Sequence, residues 1–140
     1  MFKKILVPTD FSAKSKHALD IAINVALLNY GTVYLLHVIK TIPNITFDEL
    51  EDFYLKLEDR AKQGMTQLLA TYQGRSQVKV EWAVVYGNRV QEILQFVEKH
   101  QIDLIVMNSH KIDVDKPEQG WGTISYKVGV LANCPIMLVK

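Results

Sequence analysis

Two polar stretches that follow predicted strands carry residue types able to bind a phosphorylated ligand. Asp10 follows the apolar run 5–7, and its carboxylate could bind a ribose hydroxyl or a magnesium ion. Gly122-Thr123 stands where a helix is predicted to begin, and the free amides of a helix N-terminus attract anions. Both have simpler structural explanations, because Asp10 could form an Asx turn and Gly122-Thr123 could only start the helix. The residues therefore predict a candidate binding site and no catalytic step.

Other reactive side chains offer weaker alternatives. Asp113, Asp115 and Glu118 do not form a calcium loop, because Glu118 stands at the sixth position, where such a loop needs glycine. His110 could contact a phosphate, although a solvated loop histidine explains it as well, and His37 is typical of a core or interface histidine in a strand.

Two further side chains have simple structural interpretations. Trp121 could stack on a base or could pin a loop to the body of the protein. Cys134 has no base paired with it in the sequence, so it is predicted to be a small buried apolar residue rather than a nucleophile. Since no clustered His/Cys ligand set exists either, the sequence predicts no metal catalysis.

Short apolar runs alternate with segments of helical periodicity, which predicts an α/β fold. Helix starts are indicated by Ser12, by the capping box of Thr46 and Glu49, and by Asn88. Gly31 is predicted as a C′ residue that ends the first helix, and Gly64 could break the second. The predicted strands are Ile5–Val7, Val33–Val38, a strand containing Val78, Val80 and Trp82, Leu104–Met107 and Ile136–Val139.

This alternation predicts a five-stranded parallel sheet with helices on both faces. The third strand alternates apolar residues with Lys79 and Glu81, which indicates an edge, so we expect the strand order 3-2-1-4-5. Ligands of such sheets bind beyond the carboxyl ends of the strands where the order reverses. That rule predicts a cleft between the exits of strands 1 and 4, at Pro8-Thr9-Asp10 and Asn108-Ser109-His110.

Composition indicates one globular domain over residues 1–140, since roughly 150 residues per domain is usual. The net charge of +1 excludes a basic face large enough for nucleic acid or anionic lipid. A single cysteine fits a reducing compartment. The first apolar run stops at Pro8 and no run approaches the roughly 20 residues of a membrane span, so we expect a cytoplasmic protein.

Three other classes of α/β protein are excluded by their motifs. A receiver domain needs an aspartate at the end of the third strand, where Val84-Val85-Tyr86 stands. A dinucleotide dehydrogenase needs a glycine-rich turn after strand 1, and residues 8–12 contain no glycine. The phosphate-loop signature of P-loop NTPases is absent from the sequence as well.

Several segments, in the right order and spacing along the whole chain, resemble the universal stress protein family. They are Lys4–Ser12 with Ala18-Leu19, Leu35–Val38, Tyr86-Gly87-Asn88, Asp103–Met107, and Gly122–Ser125 leading to Cys134–Val139. The resemblance implies an ATP or AMP site, with magnesium a possible companion. It implies an adenosine end formed by Pro8, Thr9, Asp10, Val38 and Met107, and a phosphate end formed by Asn108, Gly122, Thr123, Ile124 and Ser125.

The phosphate end departs from the glycine pattern G-x2-G-x9-G-[ST] of the family's nucleotide-binding members. Asn108 and Lys111 occupy the first two glycine positions, and Gly122-Thr123 comes one residue late. Glycine serves such a loop because backbone amides can then approach phosphate oxygens closely. The acidic residues between Lys111 and Gly120 are also unfavourable beside a triphosphate, so adenine or AMP is favoured over tightly held ATP.

The last strand, with its candidate interface residues Ile136, Met137, Leu138 and Val139, predicts a homodimer. Only Lys140 follows it in the sequence, and a long apolar edge is normally paired or blocked. Members of the family also dimerise through this strand, while shielding by segment 108–121 is the alternative. We favour a non-catalytic dimeric stress-response module with weak or absent nucleotide binding. The alternative is a switch that binds an adenine nucleotide and hydrolyses ATP slowly or not at all. In that alternative, segment 108–121 becomes ordered when the nucleotide binds.

Overall fold

The computed structural model describes residues 1–72, 77–109 and 123–140. The predicted fold is confirmed, with five parallel strands in the order 3-2-1-4-5. In chain order the elements are β1 Lys4–Pro8, α1 Ala13–Asn29, β2 Thr32–Lys40, a 3-10 turn Asp48–Leu50, α2 Glu51–Ala70, β3 Lys79–Gly87, α3 Arg89–His100, β4 Leu104–Asn108, α4 Ile124–Leu131 and β5 Ile136–Val139.

Strand β1 lies at the centre of the sheet, between β2 and β4. Its register pairs Ile5 with Val33 on one side and with Leu104 on the other. The β2–β3 ladder is the longest and runs from Thr32↔Lys79 to Lys40↔Gly87. Because the chain crosses from β3 on one edge to β4 beside β1, the strand order reverses at the β1/β4 boundary.

Helices cover both faces of the sheet, as predicted. On one face α1 and α2 pack on side chains such as Val7, Leu35 and Val106. On the other face α3 and α4 pack on Leu6 and Ile105, with their neighbours in the strands. Both clusters consist of side chains with almost no exposed surface, so each sheet face is part of a continuous apolar core.

The predicted helix caps are present. The Ser12 hydroxyl accepts from the Ser15 amide at 3.2 Å, and the Asn88 side chain accepts from the Gln91 amide at 3.1 Å. Thr46 and Glu49 form a reciprocal capping box, with distances of 3.0 and 3.3 Å. This box lies at the start of the 3-10 turn, and α2 itself begins later, at Glu51.

Two predictions about glycines are corrected. Helix α2 continues through Gly64 without a break, and the absence of a Cβ there leaves room for the Phe11 ring, which would lie only 3.0 Å from such an atom. The left-handed residue that ends α1 is Tyr30, with φ 55°, rather than Gly31. Gly31 is required for space instead, since a Cβ there would lie 2.8 Å from the Phe2 carbonyl oxygen.

The strand boundaries also differ from those predicted. Strands β1 and β2 extend beyond the apolar runs, and β3 begins at Lys79 rather than Val78 and includes Gly87. Pairing with a neighbour sets these ends, because residues such as Lys40 and Gly87 continue the ladder without adding apolar surface. Strand β5 spans Ile136–Val139, as predicted.

Candidate functional site

A cleft of about 130 Å³ opens at the carboxyl ends of β1, β2 and β4. The N-terminal turns of α3 and α4 complete its walls. This is the edge of the sheet where the strand order reverses, which is the position predicted for a ligand. Its lining residues are Pro8, Thr9, Asp10, Leu36, His37, Val38, Arg89, Ile93, Met107, Asn108, Ile124 and Ser125.

The floor of the cleft is apolar and closely packed. Leu36 and Val38 from β2, Ile93 from α3 and Met107 from β4 line it and are at most 6% exposed. All four belong to the apolar cluster between the sheet and helices α3 and α4. Such a floor can accept a flat apolar surface, and polar groups around it can fix the ligand's orientation.

The turn between β1 and α1 forms one rim of the cleft and is held by its own side chains. The buried Thr9 hydroxyl accepts from the Phe11 amide at 3.0 Å and donates to the Ser15 hydroxyl at 2.9 Å. Phe11 adopts a left-handed conformation, with φ 66°, which is unfavourable for a bulky residue. These contacts therefore hold the turn in a conformation that is unfavourable for Phe11 itself.

Asp10 forms an Asx turn, the simpler of the two roles that the sequence suggests for this residue. Its Oδ1 accepts from the Ser12 amide at 2.9 Å. Partial burial raises the pKa of this carboxyl, but hydrogen bonds from Ser12 outweigh that effect and leave the pKa below its ordinary value. The carboxylate is therefore charged near neutral pH and stays at the rim of the cleft.

His37 helps to position this same turn. Its Nδ1 lies 2.7 Å from the Thr9 carbonyl oxygen, which can only accept, so Nδ1 carries the proton. The imidazole also packs against the Phe11 ring, with 4.6 Å between centroids. His37 thus joins β2 to the β1–α1 turn, and it lines the cleft as well.

Arg89 is the permanent cation of the cleft lining. It is the first residue of α3, directly after the Asn88 cap, and it is exposed. Within the described residues no carboxylate lies within ion-pair distance of its guanidinium. The free guanidinium and the amides of the α3 N-terminus both favour an anion at this wall.

The wall formed by α4 is only partly described. Ser125 is buried and its hydroxyl lies 3.3 Å from that of Thr123. Thr123 caps α4 by accepting from the Tyr126 amide at 3.3 Å, and it does not line the cleft. Gly122, together with the predictions for His110, Lys111, Trp121 and the acidic loop, lies outside the described residues.

The structure brings most of the predicted site residues together. All of the predicted nucleotide-site residues that the structure describes line the cleft except Thr123. Sequence reasoning missed Leu36, Arg89 and Ile93, and it favoured a core or interface role for His37. Arg89 could have been found, because it follows β3 directly and the carboxyl-end rule applies to that strand as well.

The family is decided by comparison with known proteins. The family model described as the Universal stress protein family matches residues 1–140. The chain belongs to the universal stress protein family. It is 31% identical over 146 residues to universal stress protein MJ0531 of Methanocaldococcus jannaschii, an alignment that covers 100% of this chain and 83% of that protein.

Solved universal stress proteins share the fold. UspA from Lactobacillus plantarum superposes with a TM-score of 0.83 at 23% identity, over 99% of this chain and 98% of that chain. The universal stress protein from Archaeoglobus fulgidus, solved in complex with dAMP, has a TM-score of 0.70 at 17% identity, and both chains are covered completely. At these identities the likeness establishes the fold alone.

None of the helices in the described part of the chain is long and apolar enough to cross a membrane. Among residues 1–72, 77–109 and 123–140, no group of three His, Cys, Asp or Glu side chains could hold a metal ion.

Cys134 packs against the apolar cluster beneath α3 and α4. Burial and, to a smaller extent, the charge of Asp103 raise the pKa of its thiol.

Proposed function

We propose that this universal stress protein is a non-catalytic regulatory module whose cleft binds an adenine nucleotide through its nucleoside part, AMP in preference to ATP. The observation that carries the proposal is the cleft itself, at the β1/β4 switch point. It combines an apolar floor with a rim of polar groups. This combination is typical of small-molecule sites in open parallel sheets.

The apolar floor supports recognition of a base. Val38 of β2 and Met107 of β4 lie on opposite sides of β1 and belong to the same apolar cluster, so a flat ring above β1 would contact both side chains. Next to them the exposed carboxylate of Asp10 can accept from a ribose hydroxyl through the oxygen that the Asx turn leaves free. The nucleoside would therefore contact residues whose positions the sheet and the β1–α1 turn fix.

Preference for a monophosphate follows from the charges around the cleft. Arg89 and the N-terminal amides of α3 and α4 can balance a small anion at the cleft walls. Asn108 and Lys111 replace the first two glycines of the family's phosphate loop. That loop cannot then bring its amides as close to a triphosphate, which lowers the expected affinity for ATP relative to AMP.

A related structure gives this ligand class a precedent. The Archaeoglobus fulgidus protein of the same fold was solved with dAMP, an adenine monophosphate. That protein is 17% identical to this chain. The proposal for this chain therefore depends on its own cleft residues and not on the ligand of the related structure.

The proposal assigns a binding role and no hydrolysis. His37 directs its Nδ1 proton to the Thr9 carbonyl, and in the described part no hydrogen bond joins it to a hydroxyl or carboxylate. A general base acting on water or on a side-chain nucleophile must lie within hydrogen-bond reach of it. Nucleotide binding would instead stabilise the loops and helix ends around the cleft, so the conformation of the protein would respond to the nucleotide concentration.

We also propose that the module acts as a homodimer through β5. The carbonyls of Pro135 and Val139 accept from the amides of Ile105 in β4 and of Ser109 directly after it, so the backbone groups of Ile136 and Leu138 point away from the sheet. Met137 and Leu138 are 37% and 42% exposed. Pairing with a second β5 would satisfy these groups and cover the apolar side chains, as edge strands require.

Thermal unfolding of the dialysed protein with AMP, ATP and GTP tests the proposed binding. AMP at 100 times its Kd should stabilise the protein by roughly 2.7 kcal/mol, and the melting temperature should rise by a few degrees. ATP should give a smaller shift at equal concentration, and GTP none. Equal rises in melting temperature with GTP and AMP would contradict adenine recognition. No rise with any nucleotide would rule out nucleotide binding and leave a dimeric module without a nucleotide ligand.

A further inference from the structure

A second exposed surface lies beyond the end of β2, in the segment that leads into α2. Residues 41–49 are exposed throughout, and they include the large apolar side chains of Ile42 and Phe47. Phe53, in the first turn of α2, is 48% exposed. Large apolar side chains are usually tolerated singly at a surface, whereas a group of them marks an interaction site.

These three residues form one patch because they surround the same buried tyrosine. The ring of Tyr54 is 1% exposed. Phe47 stacks on it with centroids 5.5 Å apart, and Phe53 lies 5.6 Å from it. The Ile42 amide donates to the Tyr54 hydroxyl at 2.9 Å. The exposed residues Ile42, Phe47 and Phe53 therefore lie around one buried side chain, with both phenyl rings in contact with it and Ile42 bound to it through its backbone.

The patch is preformed by contacts on its inner side. Tyr86 of β3 meets both Phe47 and Tyr54 edge to face, at 5.6 and 5.8 Å. The Thr46–Glu49 capping box fixes the backbone on both sides of Phe47. Because these side chains are already ordered, a partner would lose little conformational entropy of the patch on binding.

The rim of the patch is strongly acidic. Asp48, Glu49, Glu51 and Asp52 lie within residues 41–55, a stretch that contains no Lys, Arg or His and is bounded by Lys40 and Lys56. Across the described residues, none of the four carboxylates is within ion-pair distance of a cation. In a chain with a net charge of +1, this is a local excess of negative charge next to exposed aromatic rings.

Stabilisation of α2 accounts for only part of this arrangement. Acidic residues in a first helical turn interact favourably with the helix dipole, and Glu51 and Asp52 occupy that turn. That effect does not require Phe47 and Phe53 to be exposed on the same surface. Apolar anchors surrounded by charges of one sign are typical of a surface that recognises a partner of opposite charge.

We propose that the acidic aromatic patch, formed by Ile42, Phe47 and Phe53 with the carboxylates of residues 48–52, docks a basic, apolar peptide segment of a partner protein. An apolar side chain of that segment would pack on the Phe47 and Phe53 rings. Its Lys or Arg side chains would face the carboxylates of the rim. The patch lies outside the cleft lining, so this proposal does not depend on nucleotide binding.

Selection of short random peptides on the intact protein, followed by fluorescence-anisotropy titration of the recovered sequences, tests the proposal. The recovered peptides should carry net positive charge together with aliphatic or aromatic residues. Their affinity should fall about tenfold in Phe53→Ser and again in the double variant Glu51→Gln/Asp52→Asn. Added salt should weaken wild-type binding, because the rim charges are exposed.

Matched controls separate docking from folding and from general stickiness. Leu28→Ser removes a more exposed apolar side chain on α1, 81% exposed, and Asp59→Asn removes a carboxylate of α2 outside the rim. Both controls should bind the peptides like the wild type. The proposal is overturned if no peptide is enriched, if the enriched peptides lack positive charge, if Phe53→Ser binds them unchanged, or if Phe53→Ser alters the oligomeric state instead.

Discussion

Arg89 and Asp10 place opposite charges on the lining of the cleft. The exposed guanidinium of Arg89 has no carboxylate within ion-pair distance in the described part of the chain. Asp10 commits one oxygen to the Ser12 amide; although partial burial raises its pKa, hydrogen bonding to the Ser12 side chain and amide keeps the pKa low. A ligand with a hydroxyl-bearing part and an anionic part would complement both charges, as AMP does.

Replacing Arg89 should separate recognition of the phosphate from recognition of the nucleoside. Arg89→Ala is expected to lower the affinity for AMP about tenfold, because hydrogen bonds to charged groups contribute about 1.5–3 kcal/mol. Adenosine affinity should stay unchanged. Calorimetric titration of both ligands checks this, with Lys99→Ala, at the far end of α3, as the control. Equal losses for AMP and adenosine would show that Arg89 does not bind the phosphate.

At the level of single residues, sequence reasoning located the site better than it assigned roles. The carboxyl-end rule and the family resemblance pointed to Pro8, Val38 and Met107, which line the cleft. The role of His37 depends on a contact between β2 and the β1–α1 turn that no local pattern contains. Such contacts follow from the register of the sheet, which a single sequence does not specify.

At the level of elements, local chemistry predicted where helices begin more accurately than where strands end. The caps at Ser12 and Asn88 need only residues within the same turn, so their patterns are sufficient. Strand ends depend on a neighbour, and β3 continues to Gly87 because Lys40 of β2 pairs with it. The close packing of Phe11 on Gly64 of α2 likewise involves a residue that is distant in sequence.

Helix α2 is joined to β3 by Tyr86, whose hydroxyl donates to Glu58 at 2.7 Å. Burial, and then the bond to Glu58, raise the pKa of Tyr86 from 10.0 to about 12. The stabilisation that depends on neutral Tyr86 is thus fully present below pH 10 and is lost as the pH rises to about 12. In the opposite sense, this bond and the contacts with Lys62 lower the pKa of Glu58.

Tyr86→Phe should therefore change the pH dependence of folding at both ends. The variant is expected to lose less stability than the wild type between pH 10 and about 12, because it has no Tyr86 proton to release. In the same variant the pKa of Glu58 should move back up towards its ordinary value.

Urea unfolding at several pH values and an NMR titration of Glu58 check these two effects. Tyr72→Phe is the matched control, because Tyr72 donates to Asp20 and its pKa is also raised. It should flatten the alkaline loss of stability without changing the pKa of Glu58. An unchanged pKa of Glu58 in Tyr86→Phe would contradict the assigned hydrogen bond.

At the scale of the whole molecule, the two sheet edges differ. Edge strand β3 contains an ion pair between Lys79 and Glu81, and charged side chains discourage edge-to-edge pairing. Edge strand β5 exposes Met137 and Leu138 and contains no charged residue. Val139, predicted as an interface residue, packs into the core instead, so the proposed interface rests on residues 136–138.

A lysine on β5 should separate the proposed dimer. Leu138→Lys places a charge on the edge, where pairing with a second copy would bury it, and a buried unpaired charge is costly. Sedimentation equilibrium should give twice 16.0 kDa for the wild type and 16.0 kDa for the variant. Leu28→Lys on α1 is the control and should stay dimeric. A monomeric wild type would contradict the β5 interface.

The proposed function depends on binding of an adenine nucleotide in the cleft at the β1/β4 switch point. An NMR titration of methyl-labelled protein with AMP reports both whether the nucleotide binds and where. Saturable shifts are expected for Val38, Ile93, Met107 and Ile124, which line the cleft, with little change for the exposed Val130 and Leu131 of α4. Shifts confined to residues outside the cleft, or no saturable shift, would show that AMP does not bind there.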